Sequence, residues 1–212
     1  MKRKNNSKIK ELIINHIMNN KKEYVIVTIL FCLGFLFGIL FINNTSQIQK
    51  EQISNYINGF IDSIKQNSLI DKEALLRKSI FNNLILVLIL WFAGMSVIGM
   101  PIVYGIVAFR GFCLSYTISS MISTLGVKNG ILLGLSSVFI QSIILVPLVL
   151  AISVSGMKLY KSIMKDRRKE NIKLEICRHT IFSFFMCIGL VVSSFVEVYI
   201  SSNLALYVSG WM

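Results

Sequence analysis

The chain contains few of the residue groupings that enzymes use for catalysis. Its three aspartates, Asp62, Asp71 and Asp166, lie outside the long apolar stretches and form no intramembrane carboxylate pair. The two histidines, His16 and His179, fall in basic segments, where we expect both on the surface and away from a serine nucleophile. The sequence contains no HExxH, P-loop or GxGxxG motif, and its four cysteines show no CxxC spacing. It therefore predicts a protein that is not an enzyme and that holds no metal or cofactor.

Three charged residues interrupt the long apolar stretches, namely Arg110, Lys128 and Glu197. A charge at the centre of a bilayer costs roughly 3 kcal/mol, so we expect these residues near the water. Arg110 then anchors a tight cytoplasmic turn that Gly111 permits, and Lys128 lies in an external turn. Glu197 lies near the outer end of the last apolar stretch, where it is either solvated or paired with Lys128.

The composition is that of a membrane protein. Of 212 residues, 54% are hydrophobic and only 15% are charged, which is too little charge to cover a soluble globule. Lys and Arg number 22 against 10 Asp and Glu, for a formal net charge of +12. Most of this positive charge lies in two clusters beside apolar stretches, as the positive-inside rule requires, so we expect no nucleic-acid partner.

The apolar stretches predict an all-α polytopic membrane protein with five transmembrane helices and an external amphipathic helical segment. Each stretch is long enough to cross a hydrocarbon core of about 30 Å. The predicted spans are 24–42, 84–109, 111–127, 130–156 and 181–200. The whole chain, 1–212, is then one integral membrane domain with a basic cytoplasmic N-terminus (1–23), an external helical loop (43–83) and a basic cytoplasmic loop (157–180).

The external loop has the spacing of an amphipathic helix. Tyr56, Phe60 and Ile64 form an apolar stripe on it, and the motif Ser68-Leu-Ile-Asp71 is placed to cap a second helix, 71–83, that leads into the next span. The stripe either rests on membrane lipid or binds a partner protein.

Glycine and proline residues mark places where helices pack closely or bend. Gly34 with Gly38, and Gly130 with Gly134, are GxxxG pairs that favour close packing within the chain or between copies in a homo-oligomer. A second group of residues interrupts the predicted second and fourth spans, either as simple bends or as the lining of a transport site. These residues are Gly94, Gly99, Pro101 and Pro147.

The order of several short motifs resembles the stage II sporulation protein M family. The motifs are Gly94-Met-Ser-Val-Ile-Gly99-Met-Pro101, then Phe109-Arg110-Gly111, then Gln141 with Pro147, and finally Ser193-Ser-Phe-Val-Glu197-Val-Tyr199. The resemblance covers essentially the whole chain, and none of these motifs is catalytic.

The resemblance implies a role in engulfment of the forespore by the mother cell in endospore-forming bacteria. It implies a non-enzymatic scaffold in the plasma membrane that localises two cell-wall hydrolases, stage II sporulation proteins D and P, at the sporulation septum. The alternative from the residues alone is a small transporter or channel that uses the interrupted spans two and four.

The charge distribution predicts the topology. With the N-terminus in the cytoplasm, sixteen Lys and Arg residues lie inside and six lie outside. Reporter fusions after Asn44, Lys128 and Met212 should therefore report the external side, and a fusion after Lys165 the cytoplasm. A cytoplasmic signal at Met212 would contradict the odd number of crossings.

Overall fold

The computed structural model of the chain describes residues 17–65, 71–96, 98–165 and 172–211. Every secondary-structure element in these ranges is helical, in agreement with the predicted all-α class. We number the α-helices in chain order and name the two π-helical stretches separately. They are α1 (Lys21–Asn43), α2 (Gln47–Lys65), α3 (Lys72–Met95), α4 (Met100–Gly134), the first π segment (Leu135–Phe139), α5 (Ile140–Lys165), α6 (Ile172–Val196), the second π segment (Glu197–Ser201) and α7 (Ser202–Ser209).

The second and third predicted spans had the wrong boundaries. The helix α3 begins at Lys72, where the Asp71 carboxylate caps it by accepting hydrogen bonds from the backbone N–H groups of Glu73 (3.1 Å) and Ala74 (3.0 Å). Ser68, which opens the predicted capping motif, lies outside the described residues. It ends at Met95, and Pro101 lies in the first turn of α4. Proline suits that position because the first N–H groups of a helix have no partner in any case. The segment from Gly94 to Pro101 is thus a connection between two helices rather than a break within one.

The helix α4 reverses direction at Gly126. This glycine has φ 78° and ψ 168°, a conformation that side-chain-bearing residues rarely adopt. After the reversal, Gly130 lies against the backbone of Ile122 and Gly134 against the Ile118 side chain, so the two arms run antiparallel. The second arm continues through the first π segment and α5 as one helix, residues 127–165, which we name the return helix.

This reversal gives five crossings. Four apolar helical segments are long enough to span a membrane, namely Lys21–Asn43, Lys72–Met95, Met100–Met164 and Ile172–Ser209. The third has 65 residues, about 98 Å of helix, and crosses twice because it doubles back. The basic loop predicted over 157–180 is shorter than expected, since helices extend to Lys165 and resume at Ile172.

The helices α1 and α4 lie side by side in parallel, with glycine at the contact. A Cβ atom at Gly34 would lie 1.9 Å from the Ala108 carbonyl oxygen, and one at Gly38 would lie 2.6 Å from the Phe112 carbonyl oxygen. From the other side, a Cβ at Gly111 would lie 2.2 Å from the Phe31 carbonyl oxygen. The two backbones touch at a distance that only glycine allows.

The same contact shows that Arg110 was wrongly predicted to lie in a turn. Arg110 and Gly111 lie within α4, level with the middle of α1, which is about 15 Å from each end of its apolar stretch. Arg110 is therefore near the centre of the membrane and its side chain is half-buried. Without it, the predicted partition of Lys and Arg is fifteen inside to six outside, so the charge argument for the orientation still holds.

The buried apolar residues form two separate cores. The larger one joins α1, α3, α4, α5 and α6 within the membrane and includes Val27, Leu90, Val103, Ile152 and Leu190. The smaller one packs α2 against the outer ends of the bundle through Ile57, Ile61, Met121, Leu133 and Ala205. We name the layer around this smaller core the outer cap.

We expect Gly34→Leu and Gly38→Leu to destabilise the bundle. A side chain at position 34 meets only the backbone of Ala108, and one at position 38 meets the Ser115 hydroxyl and the Phe112 carbonyl oxygen, so the cost should be roughly 1–3 kcal/mol or more per site. Thermal unfolding of the purified protein in detergent measures the effect. Gly105→Leu is the matched control, because a Cβ at Gly105 in α4 has no neighbour within 4 Å. Equal unfolding temperatures for the Gly34 and Gly105 variants would contradict close packing at Gly34.

Candidate functional site

A groove of about 610 Å³ lies beneath α2, at the end of the bundle that the charge distribution predicts to be external. The C-terminal end of α1 and residues 116–121 of α4 form its floor, and α2 forms its roof. The groove is lined by Phe41, Thr45, Gln49, Gln52, Ile53, Tyr56, Ile57, Phe60, Tyr116, Thr117, Ser120 and Met121. A site of this size and shape accommodates a large side-chain cluster or a drug-sized ligand.

The helix α2 carries two apolar stripes with different surroundings. Ile57 and Ile61 are buried in the outer cap, so this stripe packs on the protein's own helices. Tyr56 and Phe60, which directly precede Ile57 and Ile61 in the sequence, remain 79% and 41% exposed and border the groove. The side chain of Ile64, the third predicted member of their stripe, lies outside the described part of the chain. The sequence pattern alone does not distinguish the two stripes.

The groove has a mixed but uncharged lining. Aromatic rings and isoleucines alternate with amides and hydroxyls, and none of the lining side chains in the described ranges is charged. Phe41 lies edge-on to the Phe112 ring behind it, with the ring centroids 5.7 Å apart, which fixes one wall. The arrangement suits an apolar ligand that carries a few uncharged polar groups.

A polar cluster lies deeper, near the membrane centre. The Glu197 carboxylate accepts a hydrogen bond from Gln141 Nε2 (2.6 Å) in α5 and a second one from the Ser79 hydroxyl in α3. Gln141 lies level with Gly111 of α4, since Gly134 lies against Ile118 and the two helices are antiparallel. The cluster therefore joins three helices at the depth of Arg110.

Glu197 was predicted to be either solvated or paired with Lys128, and the structure shows neither arrangement. Lys128 is exposed beside the reversal at Gly126, thirteen residues or about 20 Å of helix from Gln141. The Glu197 carboxylate instead accepts the hydrogen bonds of Gln141 and Ser79, and no ion pair within 4.0 Å joins it to Arg110.

Asn83 extends the polar cluster and was not singled out by the sequence. Its side-chain amide donates to Ser194 Oγ (2.8 Å) and to the Leu190 carbonyl oxygen (3.4 Å), and the residue is 4% exposed. Ser193 donates in turn to the Gln141 carbonyl oxygen (3.4 Å). Such bonds hold membrane helices together where lipid gives no hydrophobic drive. The sequence feature that could have identified Asn83 is its amide side chain at the edge of an apolar stretch.

The prediction that His179 lies on the surface was wrong. His179 is 2% exposed and shares a hydrogen bond of 2.9 Å with Ser155 through Nδ1. Its ring packs where the backbones of Gly94 and Gly156 meet, and a Cβ at Gly94 would lie 2.8 Å from its Nε2. In some enzymes, a serine hydroxyl at hydrogen-bond distance from a histidine acts as a nucleophile with the histidine as its general base. The tight packing around the ring leaves no room for a substrate, so we interpret the pair as a contact between helices.

The residues proposed to interrupt a transport helix do not line a shared path. Pro147 lies inside α5, and its side chain is exposed instead of packing in the interior of the bundle. Gly99 lies in the connection before α4, against the Ala93 carbonyl oxygen. These positions favour simple structural roles over a transport pathway through spans two and four.

Comparison with known families assigns the chain. The model of the stage II sporulation protein M family matches residues 27–202. The chain belongs to this family. The match begins in α1 and ends in α7, so it covers all five crossings and the outer cap. Membership supports a sporulation-related membrane protein.

One curated relative also matches over most of the chain. An uncharacterized protein of Methanocaldococcus jannaschii is 28% identical over 191 residues, which is 88% of this chain and 98% of the relative. No solved structure matches the chain.

We expect His179→Ala to lower the stability of the bundle by about 2–3 kcal/mol. The change leaves a cavity between three helices and removes the partner of Ser155. Thermal unfolding in detergent measures the loss. Cys177→Ala, two residues earlier on α6 and exposed, is the control and should have little effect. Equal unfolding temperatures for the two variants would contradict the burial of His179.

Proposed function

We propose that the protein is a non-enzymatic scaffold of the plasma membrane that holds cell-wall hydrolases at the sporulation septum during engulfment. The family membership supports a role in sporulation, and the groove beneath α2 carries the more specific part of the proposal. The hydrolases are expected to be stage II sporulation proteins D and P, as the family resemblance implies. They cut peptidoglycan, so they act on the external side of the membrane.

The position of the groove matches this requirement. The charge distribution places α2 outside the cell, and the groove opens between α2 and the membrane surface. A partner that binds there can touch the scaffold and remain next to the wall.

The lining of the groove defines the partner surface. Tyr56 and Phe60 supply aromatic anchors, and Gln49 and Gln52 supply amides that are able to donate and accept hydrogen bonds. Because the lining is uncharged, the bound part of the partner is expected to be apolar with a few uncharged polar groups. A strongly charged segment would lose its hydration without gaining a counter-charge.

The rigidity of the roof also favours docking. Ile57 and Ile61 attach α2 to the outer cap, so Tyr56 and Phe60 are presented on a fixed helix. A pre-ordered surface binds with a smaller entropy cost than a flexible loop.

The double variant Tyr56→Glu/Phe60→Glu tests the proposal. We expect it to insert normally, because neither side chain belongs to the outer-cap core. The wild-type protein should co-purify with the two hydrolases after extraction in a mild detergent. The double variant should lose them, and the hydrolases should disperse from the septum.

Ile48→Glu is the matched control. Ile48 lies on the same helix and is 71% exposed, but it does not line the groove. This variant should retain the hydrolases. Normal hydrolase localisation with a well-inserted double variant would reject the groove as the docking site, and failure of the wild-type protein to bind either hydrolase would reject the scaffold role.

A further inference from the structure

A carboxylate in the last apolar stretch keeps one oxygen free of hydrogen bonds. Helix α6, the second π segment and α7 form a continuous rod, Ile172–Ser209, which we name the last rod and which contains Glu197. The Oε2 atom of Glu197 accepts from Gln141 Nε2 (2.6 Å) and from the Ser79 hydroxyl, whereas Oε1 accepts no hydrogen bond from the described residues. No nitrogen of a described lysine or arginine lies within 4.0 Å of this carboxylate. Glu197 therefore has neutral donors on one oxygen and no countercharge in contact with the other.

Two irregular helical turns meet beside this carboxylate. The second π segment begins at Glu197, and it packs against the first π segment, which ends two residues before Gln141. Neither segment contains glycine or proline, so no residue with a special backbone preference explains the irregularity. A π-helical turn is rare and occurs often at functional sites, and irregular turns of membrane helices supply the ion sites of several transporters. The backbone thus marks the same place as the carboxylate.

Two further oxygens beside Glu197 are available as ligands. Ser201 ends the second π segment four residues after Glu197, on the same side of the last rod. It is 1% exposed, and its hydroxyl forms no hydrogen bond with the described residues. Gln141 donates to Glu197 through its amide nitrogen, and its amide oxygen accepts no hydrogen bond in the described part of the chain. The cluster therefore offers a carboxylate, an amide and a hydroxyl oxygen.

The cluster is closed on its inner side. One turn toward the predicted cytoplasmic side, Asn83 donates to Ser194 Oγ (2.8 Å) and to the Leu190 carbonyl oxygen (3.4 Å). Beyond this contact the side chains of Leu90 and Leu190 are both 1% exposed and belong to the larger core. A ligand of Glu197 therefore has to arrive from the external side, and the arrangement is that of a binding site rather than of a continuous channel.

We propose that Glu197, Gln141 and Ser201 form a binding site for a monovalent alkali cation, sodium or potassium, taken from the external medium. Hard cations bind carboxylate, carbonyl and hydroxyl oxygens. The single carboxylate sets the charge of the ion, because one monovalent cation neutralises it, whereas a divalent one would leave a positive charge in the apolar layer. The ligands come from the return helix and the last rod, so the bound ion ties these two helices together.

The cation site is separate from the groove beneath α2. None of its three residues lines the groove, so ion binding does not depend on the proposed hydrolase partners.

Thermal unfolding of the full chain in detergent tests the site. A ligand that binds only the folded protein raises the ratio of folded to unfolded protein, by about a hundredfold at a hundred times its Kd. Sodium chloride or potassium chloride should therefore raise the unfolding temperature above that in choline chloride of equal ionic strength, because the bulky choline ion does not fit between close oxygen ligands. Equal unfolding temperatures in the three salts would overturn the proposal.

The variant Glu197→Gln removes the negative charge and should abolish the difference between the alkali salts and choline chloride. Glu175→Gln is the matched control, since Glu175 also lies on the last rod but its carboxylate pairs with Arg178 (2.7 Å) near the opposite end. This control should keep the wild-type difference. An alkali-specific rise that persists in Glu197→Gln would also overturn the site.

The variant Ser201→Ala decides the question if Glu197→Gln does not fold. It keeps the carboxylate and removes a buried hydroxyl without a partner among the described residues, so in choline chloride it should be at least as stable as the wild type. Loss of a ligand should raise the alkali-ion concentration needed for a given stabilisation by roughly tenfold or more.

Ser183→Ala is the matched control for Ser201→Ala. Its hydroxyl is likewise buried and makes no hydrogen bond with the described residues, but it lies fourteen residues before Glu197, about 21 Å along the last rod. Its response to sodium and potassium should equal that of the wild type. Identical ion responses of the two serine variants would show that Ser201 is no ligand and would reject the site.

Discussion

Gly34, Gly38 and Gly111 allow the backbones of α1 and α4 to touch, and the arrangement of the other helices depends on this contact. Because the two helices are parallel, α3 must return across the membrane between them in sequence, and α2 lies at the end of the bundle where α1 finishes and α3 begins. The contact also sets the depth of α4. Its outer turns reach the membrane surface beside the end of α1, where α2 covers them and leaves the groove open.

The remaining helices are held by a different kind of interaction. Polar side chains on α3, α5 and α6 bond to one another across the interior, at Glu197 with Gln141, at Asn83 with Ser194, and at Ser155 with His179. In hydrocarbon, helices gain little from apolar contact alone, so close packing and hydrogen bonds must supply the association. The bundle thus combines a glycine-packed pair with a hydrogen-bonded group of three.

The proposed docking function follows from the layer outside the membrane. Burial of Ile57 and Ile61 fixes α2 on the bundle and leaves Tyr56 and Phe60 free for contact. The same helix therefore stabilises the protein with one face and presents a binding surface with another. A scaffold for wall hydrolases needs this division of roles, because its external surface has to be both firmly attached and unoccupied.

The sequence by itself determined the membrane class, the all-α fold and the close packing expected of Gly34 and Gly38. These properties depend on local composition and on residue types with strong conformational preferences. Only the tertiary structure decided the depth of Arg110, the burial of His179 and the partners of Glu197. Transmembrane helices are apolar on nearly every face, so their periodicity does not indicate which side meets the bundle. The helix ends at Met95 and Met100 were hidden for a related reason, since an unbroken apolar stretch gives no polar signal at a short turn. Whether a charge lies in a turn or at the centre of the membrane then depends on the helix that packs beside it.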